Sequence, residues 1–184
     1  MELRWPALDM LDSYAAALRT GWSPHTMRPE AADEELAAIA ADPGVFVASL
    51  VDREAVGPSV LQPDGTLGFR IPGYRKWMWD GEFAGTIGFR WQPGTDALPP
   101  HVLGHVGYSV VPWKRRLGYA TAAVAAILDD ARAEGLTQVE LTTDHDNIAS
   151  QRVIERNGGV LVDGFTKLGA DARPIDSLRY RITL

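Results

Sequence analysis

Leu8, Leu11, Ala15 and Leu18 recur at helical spacing over residues 7–20, which predicts a helix that Gly21 ends. Residues 22–30 read as loop. Leu36, Ile39 and Ala40 predict a second helix over 31–41, stopped by Asp42-Pro43-Gly44. The apolar run 45–51, VFVASLV, reads as a strand. Glycine and proline recur from 52 to 73, at Gly57, Pro58, Pro63, Gly65, Gly68, Pro72 and Gly73. That stretch is predicted as a loop or short irregular strands near a binding site, since long loops are often functional.

Strand signals then dominate. Residues 74–79 and 82–91 flank Asp80-Gly81, and Asp-Gly between aromatic and β-branched runs predicts a hairpin. Residues 92–103 form a second Pro- and Gly-containing loop. A strand over 104–111 runs into Pro112, where a ladder cannot continue. A helix over about 118–133 carries Val124, Ile127, Leu128 and Ala131 as one apolar stripe and ends at Gly135. Val139 and Leu141 alternate with polar residues in a strand over 137–143. Asp146 or Asn147 caps a helix over 147–157 that stops at Gly158-Gly159. Residues 160–165 and 177–184 close the chain as strands. The strand–helix–strand unit favours parallel neighbours and the hairpin is antiparallel. The expected result is one mixed sheet with helices on its faces.

The chain has 184 residues, the size of one domain, and 46% of them are apolar, enough for a full core. A net charge of −6 argues against a nucleic-acid partner, which selects a basic surface. The absence of cysteine excludes disulfides, thiolate metal sites and a cysteine nucleophile, but does not identify the compartment. The first residues lack the pattern of a signal peptide, and no apolar run is long enough to span a membrane. A single cytoplasmic domain over 1–184, without metal, is expected.

Against this acidic background Lys114, Arg115 and Arg116 stand out. They follow the strand over 104–111 and precede Gly118, Ala120 and a helix. A helix start leaves backbone N–H groups unpaired and carries partial positive charge, and small residues let phosphates approach the backbone. The local physics points to an anion, and a pyrophosphate is the expected one. An ordinary solvated basic turn is the alternative.

Two separated motifs carry a resemblance. The run Gly107-Tyr108-x-Val110-x-Pro112-x-x-Arg115-x-x-Gly118-Tyr119-Ala120 resembles the acetyl-coenzyme-A (acetyl-CoA) loop of the GNAT superfamily of N-acetyltransferases. The run Asp146-Asn147-x-x-Ser150-x-Arg152-Val153-Ile154-Glu155-x-Asn157-Gly158-Gly159 is similar to the second half of the same cofactor site. With His105, they look most like a group of bacterial acetyltransferases without an assigned acceptor. The resemblance implies an α/β (α+β) chain with the GNAT-like acyl-CoA N-acyltransferase fold: a single mixed, mostly antiparallel central sheet with helices on both faces.

It also implies roles. Backbone amides of Arg116, Leu117, Gly118, Tyr119, Ala120 and Thr121 would cradle the pyrophosphate, and Lys114, Arg115 and Arg116 would meet the outer phosphate. The strand end Ser109, Val110 and Val111 would pair with the pantetheine arm, one N–H polarising the thioester carbonyl. Asn147 would bond the pantetheine near the sulfur while also capping its helix, and Ser150 belongs to the same half-site. Acetyl-CoA is then the co-substrate, and the acceptor is a small-molecule amine or a peptide. A homodimer fits the family, with no interface legible.

Deprotonating an amine needs a base. His105 is the candidate, its ordinary pKa near 6.5 suiting the task, with a structural hydrogen-bonding role as the alternative. Asp80 and Glu82 are weaker candidates. Many relatives place a Tyr on the last helix where this chain has Ile154, which cannot donate a proton. Tyr108, Ser109 or Tyr119 would substitute, or the thiolate would leave unaided or be protonated by water; Tyr108 falls on the opposite sheet face from His105. Trp77, Trp79, Trp91, Trp22 and Trp113 offer an aromatic wall for an acceptor, but core packing is the commoner use of such residues. The acidic net charge mildly favours a cationic acceptor. The leading reading is direct N-acetyl transfer to a primary amine. A non-catalytic acyl-CoA-binding or sensing module is the alternative. An ATP-binding domain is poorer, because P-loop and dinucleotide spacings are absent.

Overall fold

The computed structural model describes residues 1–25, 28–61, 66–169 and 173–184. Pro63 and Gly65, part of the Gly/Pro-rich stretch, lie outside the described residues.

The chain runs β1 (Glu2–Arg4), α1 (Leu11–Arg19), α2 (Ala31–Ala41), α3 (Pro43–Ser49) and β2 (Val51–Asp52). It continues through β3 (Val60–Leu61), β4 (Leu67–Gly68), β5 (Gly73–Trp79), β6 (Phe83–Arg90) and β7 (Val106–Val110). Then follow α4 (Tyr119–Ala133), β8 (Gln138–Asp144), α5 (Ile148–Arg156), β9 (Val160–Leu168) and β10 (Pro174–Thr183). One sheet has the order β1-β5-β6-β7, with β2 also paired to β5, and a second has the order β8-β10-β9. Every ladder within them is antiparallel.

The sheets separate two apolar cores. On one side Trp77 and Phe83 pack with Tyr14, Leu18 and Trp22 of the α1 region and with Phe46 of α3. On the other, Met78, Ile87, Phe89 and Val106 pack with Val124, Ile127 and Leu128 of α4, Ile154 of α5, and Leu141 and Tyr180 of the second sheet. Each such aliphatic side chain contributes about 1.5–3 kcal/mol when buried. Helices therefore cover both faces of the first sheet, as expected. The second sheet buries one face only, and on its other face Glu140 pairs with Arg179 and Arg181.

Two elements depart from the sequence reading. Within the run 45–51, residues 45–49 are helical, and only Val51 is in a strand, as the start of β2. Asp42 stops α2 and also caps α3: its Oδ1 accepts from Val45 N–H at 2.9 Å, with Pro43 in the first turn. Phe46 and Leu50, four residues apart, supply its buried side. The β1 strand was not read at all, being three residues long with both ends exposed.

Candidate active site

A seam positions the site. Strands β7 and β8 flank α4 in sequence but form no ladder among the described residues. They meet at one point. His105 N–H donates to Glu140 O at 2.7 Å, and Glu140 N–H donates to His105 Nδ1 at 2.9 Å. The main chains approach so closely there that a Cβ on Gly104 would lie 3.1 Å from Glu140 O. Beyond this rivet the strands part, and the edge of β7 faces a gap.

The ladder decides which groups of β7 face it. Val111 N–H donates to Ala84 O at 3.1 Å, and Thr86 pairs Ser109. Alternation along an antiparallel pair therefore turns the main-chain groups of Ser109 and Val111 toward β6, and those of Tyr108 and Val110 toward the gap. Of the expected strand end, Val110 is the residue whose N–H is available. Ser109 Oγ accepts from Trp22 Nε1 at 3.0 Å, on the face away from α4.

At the mouth of the gap the chain makes a one-turn helix at Pro112–Lys114, then a loop in which Arg116 has φ +66° and Gly118 φ +80°. No side chain caps α4. The N–H groups of Arg116, Leu117, Gly118, Tyr119, Ala120 and Thr121 have no intramolecular partner among the described residues. A Cβ at Gly118 would meet nothing within 4 Å. An open bed of unpaired donors at a helix start fits a pyrophosphate, so these residues suit the phosphate end of acetyl-CoA.

The three cations divide their duties. Lys114 Nζ lies 3.0 Å from Asp80 Oδ2 and 2.8 Å from Glu82 Oε1. Tyr119 OH donates to Asp80 Oδ2 at 2.6 Å. This clasp fixes the loop to the β5–β6 turn. The Tyr119 hydrogen bond, followed by Lys114, holds the Asp80 carboxyl below its ordinary range. The bonds that Lys114 donates to Glu82 and then to Asp80 raise the pKa of its ammonium. Asp80 and Glu82 are thereby engaged as partners of a cation. Arg115 Nε donates to Val110 O at 3.3 Å. Arg116 is exposed and has no side-chain partner among the described residues.

Helix α5 closes the other side. Asn147 caps it, its Oδ1 accepting from Ser150 N–H at 3.1 Å, which leaves Nδ2 as a donor. Ser150 Oγ lies 2.8 Å from Tyr108 OH, joining α5 to β7. Asn157 Nδ2 donates to Thr121 O at 3.2 Å, joining α5 to α4. Burial pushes the Tyr108 phenol up to about 12, so it keeps its proton at neutral pH.

Ile154 is fully buried, and a Cβ on Gly159 would lie 2.4 Å from its Cγ2. This position is core, not cleft. Trp22, Trp77 and Trp91 are also buried, which makes them packing residues, while Trp113 is half exposed.

His105 is fully buried. Because Nδ1 accepts a backbone N–H, the neutral ring carries its proton on Nε2, which has no partner in the protein among the described residues. Burial lowers its pKa, with Glu140 acting in the opposite sense. Arg90 and His25, which read in the sequence simply as strand end and loop, lie near one another: the charge of Arg90 is among those that lower the His25 pKa, after burial and Arg28.

Known proteins share the family and the fold. A sequence model of the acetyltransferase (GNAT) domain matches residues 3–160. The chain therefore belongs to the GNAT acetyltransferase family. A search of curated proteins finds no significant match. Solved structures share the fold at low identity. The microcin C7 self-immunity acetyltransferase, in complex with acetyl-CoA and AMP, is 12% identical with a TM-score of 0.62, over 99% of this chain and 91% of that one. A Salmonella typhimurium acetyltransferase that modifies the N-terminal serine of a 50S ribosomal subunit protein is 13% identical with a TM-score of 0.65, over 99% and 94%. A Salmonella typhimurium protein with its cofactor acetyl-CoA is 15% identical with a TM-score of 0.56, over 100% and 93%.

Proposed function

We propose that the protein transfers an acetyl group from acetyl-CoA directly to a primary amine of a small molecule, amino acid or peptide, in the cytoplasm. One observation carries this reading. The unpaired N–H groups of 116–121, the outward main chain of Tyr108 and Val110, and the Asn147–Ser150 turn border one gap. The contacts Arg115–Val110, Tyr108–Ser150 and Asn157–Thr121 tie those borders together.

When bound, acetyl-CoA supplies an acyl group activated as a thioester. In this reading the 116–121 amides and Arg116 hold its phosphates, and Asn147 Nδ2 and the Val110 edge hold its arm. Val110 N–H is placed as the donor to a carbonyl oxygen that gains negative charge. Tyr108 holds a proton at its hydroxyl beside Ser150, and we assign it as the general acid in place of the missing Tyr at 154. His105 was the expected base. Its Nδ1 lone pair is occupied, so we assign it instead to holding the seam closed at 105 and 140, the acceptor's proton leaving through water.

Calorimetry with acetyl-CoA tests the reading. Gly118→Glu puts a side chain and a negative charge where phosphate belongs, and should abolish binding. Gly118→Ala, which carries the same backbone strain of about 1–2 kcal/mol, should retain it. A folded Gly118→Glu variant with wild-type affinity would sink the proposal.

A further inference from the structure

On the sheet face away from α4, Gly88 of β6 and Gly107 of β7 are directly paired. A Cβ at Gly88 would meet only main chain, at 3.6 Å from Tyr74 O and 3.9 Å from Gly107 O. One at Gly107 would meet only Arg90 Nη2, at 3.7 Å. The pair is a bare floor, and Arg90 Nη2 reaches its Gly107 end. Its borders are already engaged. At one end Ser109, paired to Thr86, is bonded by Trp22; to the side, Arg75 Nη1 lies 2.8 Å from Glu35 Oε1.

Arg90 differs. Its Nε donates to Gly104 O at 2.7 Å, which fixes the plane of the guanidinium over the floor. No carboxylate lies within ion-pair distance of it among the described residues. His25 belongs to the same region. Burial, then the charges of Arg28, Arg90 and Arg75, hold its imidazole below its ordinary value, so it adds no second positive charge at neutral pH.

We propose that Arg90 is the acceptor-specificity residue: the amine substrate carries a carboxylate or phosphate that docks on its two outward NH2 groups above Gly88 and Gly107. This rests on the transferase reading for the identity of the amine, and on Arg90 alone for the anion. A guanidinium fork anchored at Nε matches two oxygens of an oxyanion. The step from Gly107 to Ser109 along β7 is roughly 7 Å. With the amine at the Ser109–Val110 end, amine and anion are several bonds apart on the substrate. The acidic net charge had favoured a cationic acceptor. A guanidinium that Gly104 O holds in place on the exposed end of β6, with no carboxylate in ion-pair distance among the described residues, outweighs it, because charges beyond about 8–10 Å are screened.

The test is calorimetric binding of matched probes to the CoA-saturated protein: 4-aminobutanoate against 4-aminobutanamide, and O-phosphoethanolamine against ethanolamine. Wild type should prefer one anionic member by about 10- to 100-fold, the usual size for a charged hydrogen-bonded contact, and the pair that responds distinguishes carboxylate from phosphate. Arg90→Met should erase the preference and Arg90→Lys should keep part of it, with acetyl-CoA affinity unchanged in both. Gly107→Val, which fills the floor, should abolish probe binding with acetyl-CoA affinity kept. No anionic preference in wild type, a preference that survives Arg90→Met, or unchanged probe binding in Gly107→Val would overturn the proposal. Thiol release is read separately. Arg90-dependent anion binding without release from any amine would defeat the transferase reading and leave the subsite standing.

Discussion

Tyr108 and His105 sit three residues apart and are put to opposite uses. Tyr108 presents its hydroxyl to Ser150 across the gap. Tyr108→Phe should lower kcat by about 10²-fold with acetyl-CoA affinity kept, the usual size for a lost proton donor. Steady-state kinetics checks this, and a wild-type kcat would remove Tyr108 from the mechanism. His105 instead accepts a main-chain N–H. Losing it strands Glu140 N–H and opens a void, so His105→Ala should cost roughly 3 kcal/mol of stability by urea denaturation. His105→Asn, whose Oδ1 can accept the same N–H, should recover part. A base would behave differently, losing turnover with stability intact.

The His105 pKa is lowered by burial, so the folded state binds fewer protons than the unfolded one. Its contribution is complete above about pH 6.5 and is lost as pH falls below that. His25 acts in the same sense. The measured quantity is therefore the loss of stability between pH 7 and 5 in wild type, which should be smaller in His105→Asn. An equal loss would contradict the rivet.

At the scale of elements, the loop before α4 is held from two sides. Lys114 and Tyr119 tie it to Asp80 in the β5–β6 turn, and Arg115 ties it to β7. The clasp orders the loop without touching phosphate in this account. Lys114→Met should therefore raise the acetyl-CoA Kd only several-fold, since solvent screens an ion pair of this kind. Arg116→Met, removing the unpartnered cation, should show the steeper change in salt dependence. Calorimetry at two ionic strengths separates them, and equal salt slopes would contradict the division of roles. Ile154→Tyr should not create a proton donor. It should overpack the core against Gly159 and lower stability by about 1–3 kcal/mol.

Across the whole molecule, most elements were legible because their signals are local. Asp80-Gly81 set the hairpin, and the stripe Val124, Ile127, Leu128, Ala131 set α4. The run 45–51 misled because a short apolar run fits strand or helix, and the Asp42 cap that decides it lies outside the run. The phosphate loop was readable from Gly118 and the helix that follows. The partners of Lys114 and His105 were not, because Asp80 and Glu140 lie more than thirty residues away in sequence, although a hydrogen-bonding role for His105 was one of its two readings. Arg90 was invisible for a related reason: its significance comes from two glycines on different strands and from the lack of a carboxylate beside it among the described residues.

The most direct test of the central claim is thiol release from acetyl-CoA, with acetyl-CoA binding measured alongside, across polyamines, free amino acids, amines bearing carboxylate or phosphate, aminoglycosides and short peptides. The account predicts release with one acceptor class, strongest for amines that carry an anion, and its loss in Tyr108→Phe. Tight acetyl-CoA binding with no thiol released from any amine would contradict it, and would make the protein an acyl-CoA-binding module built on a transferase fold.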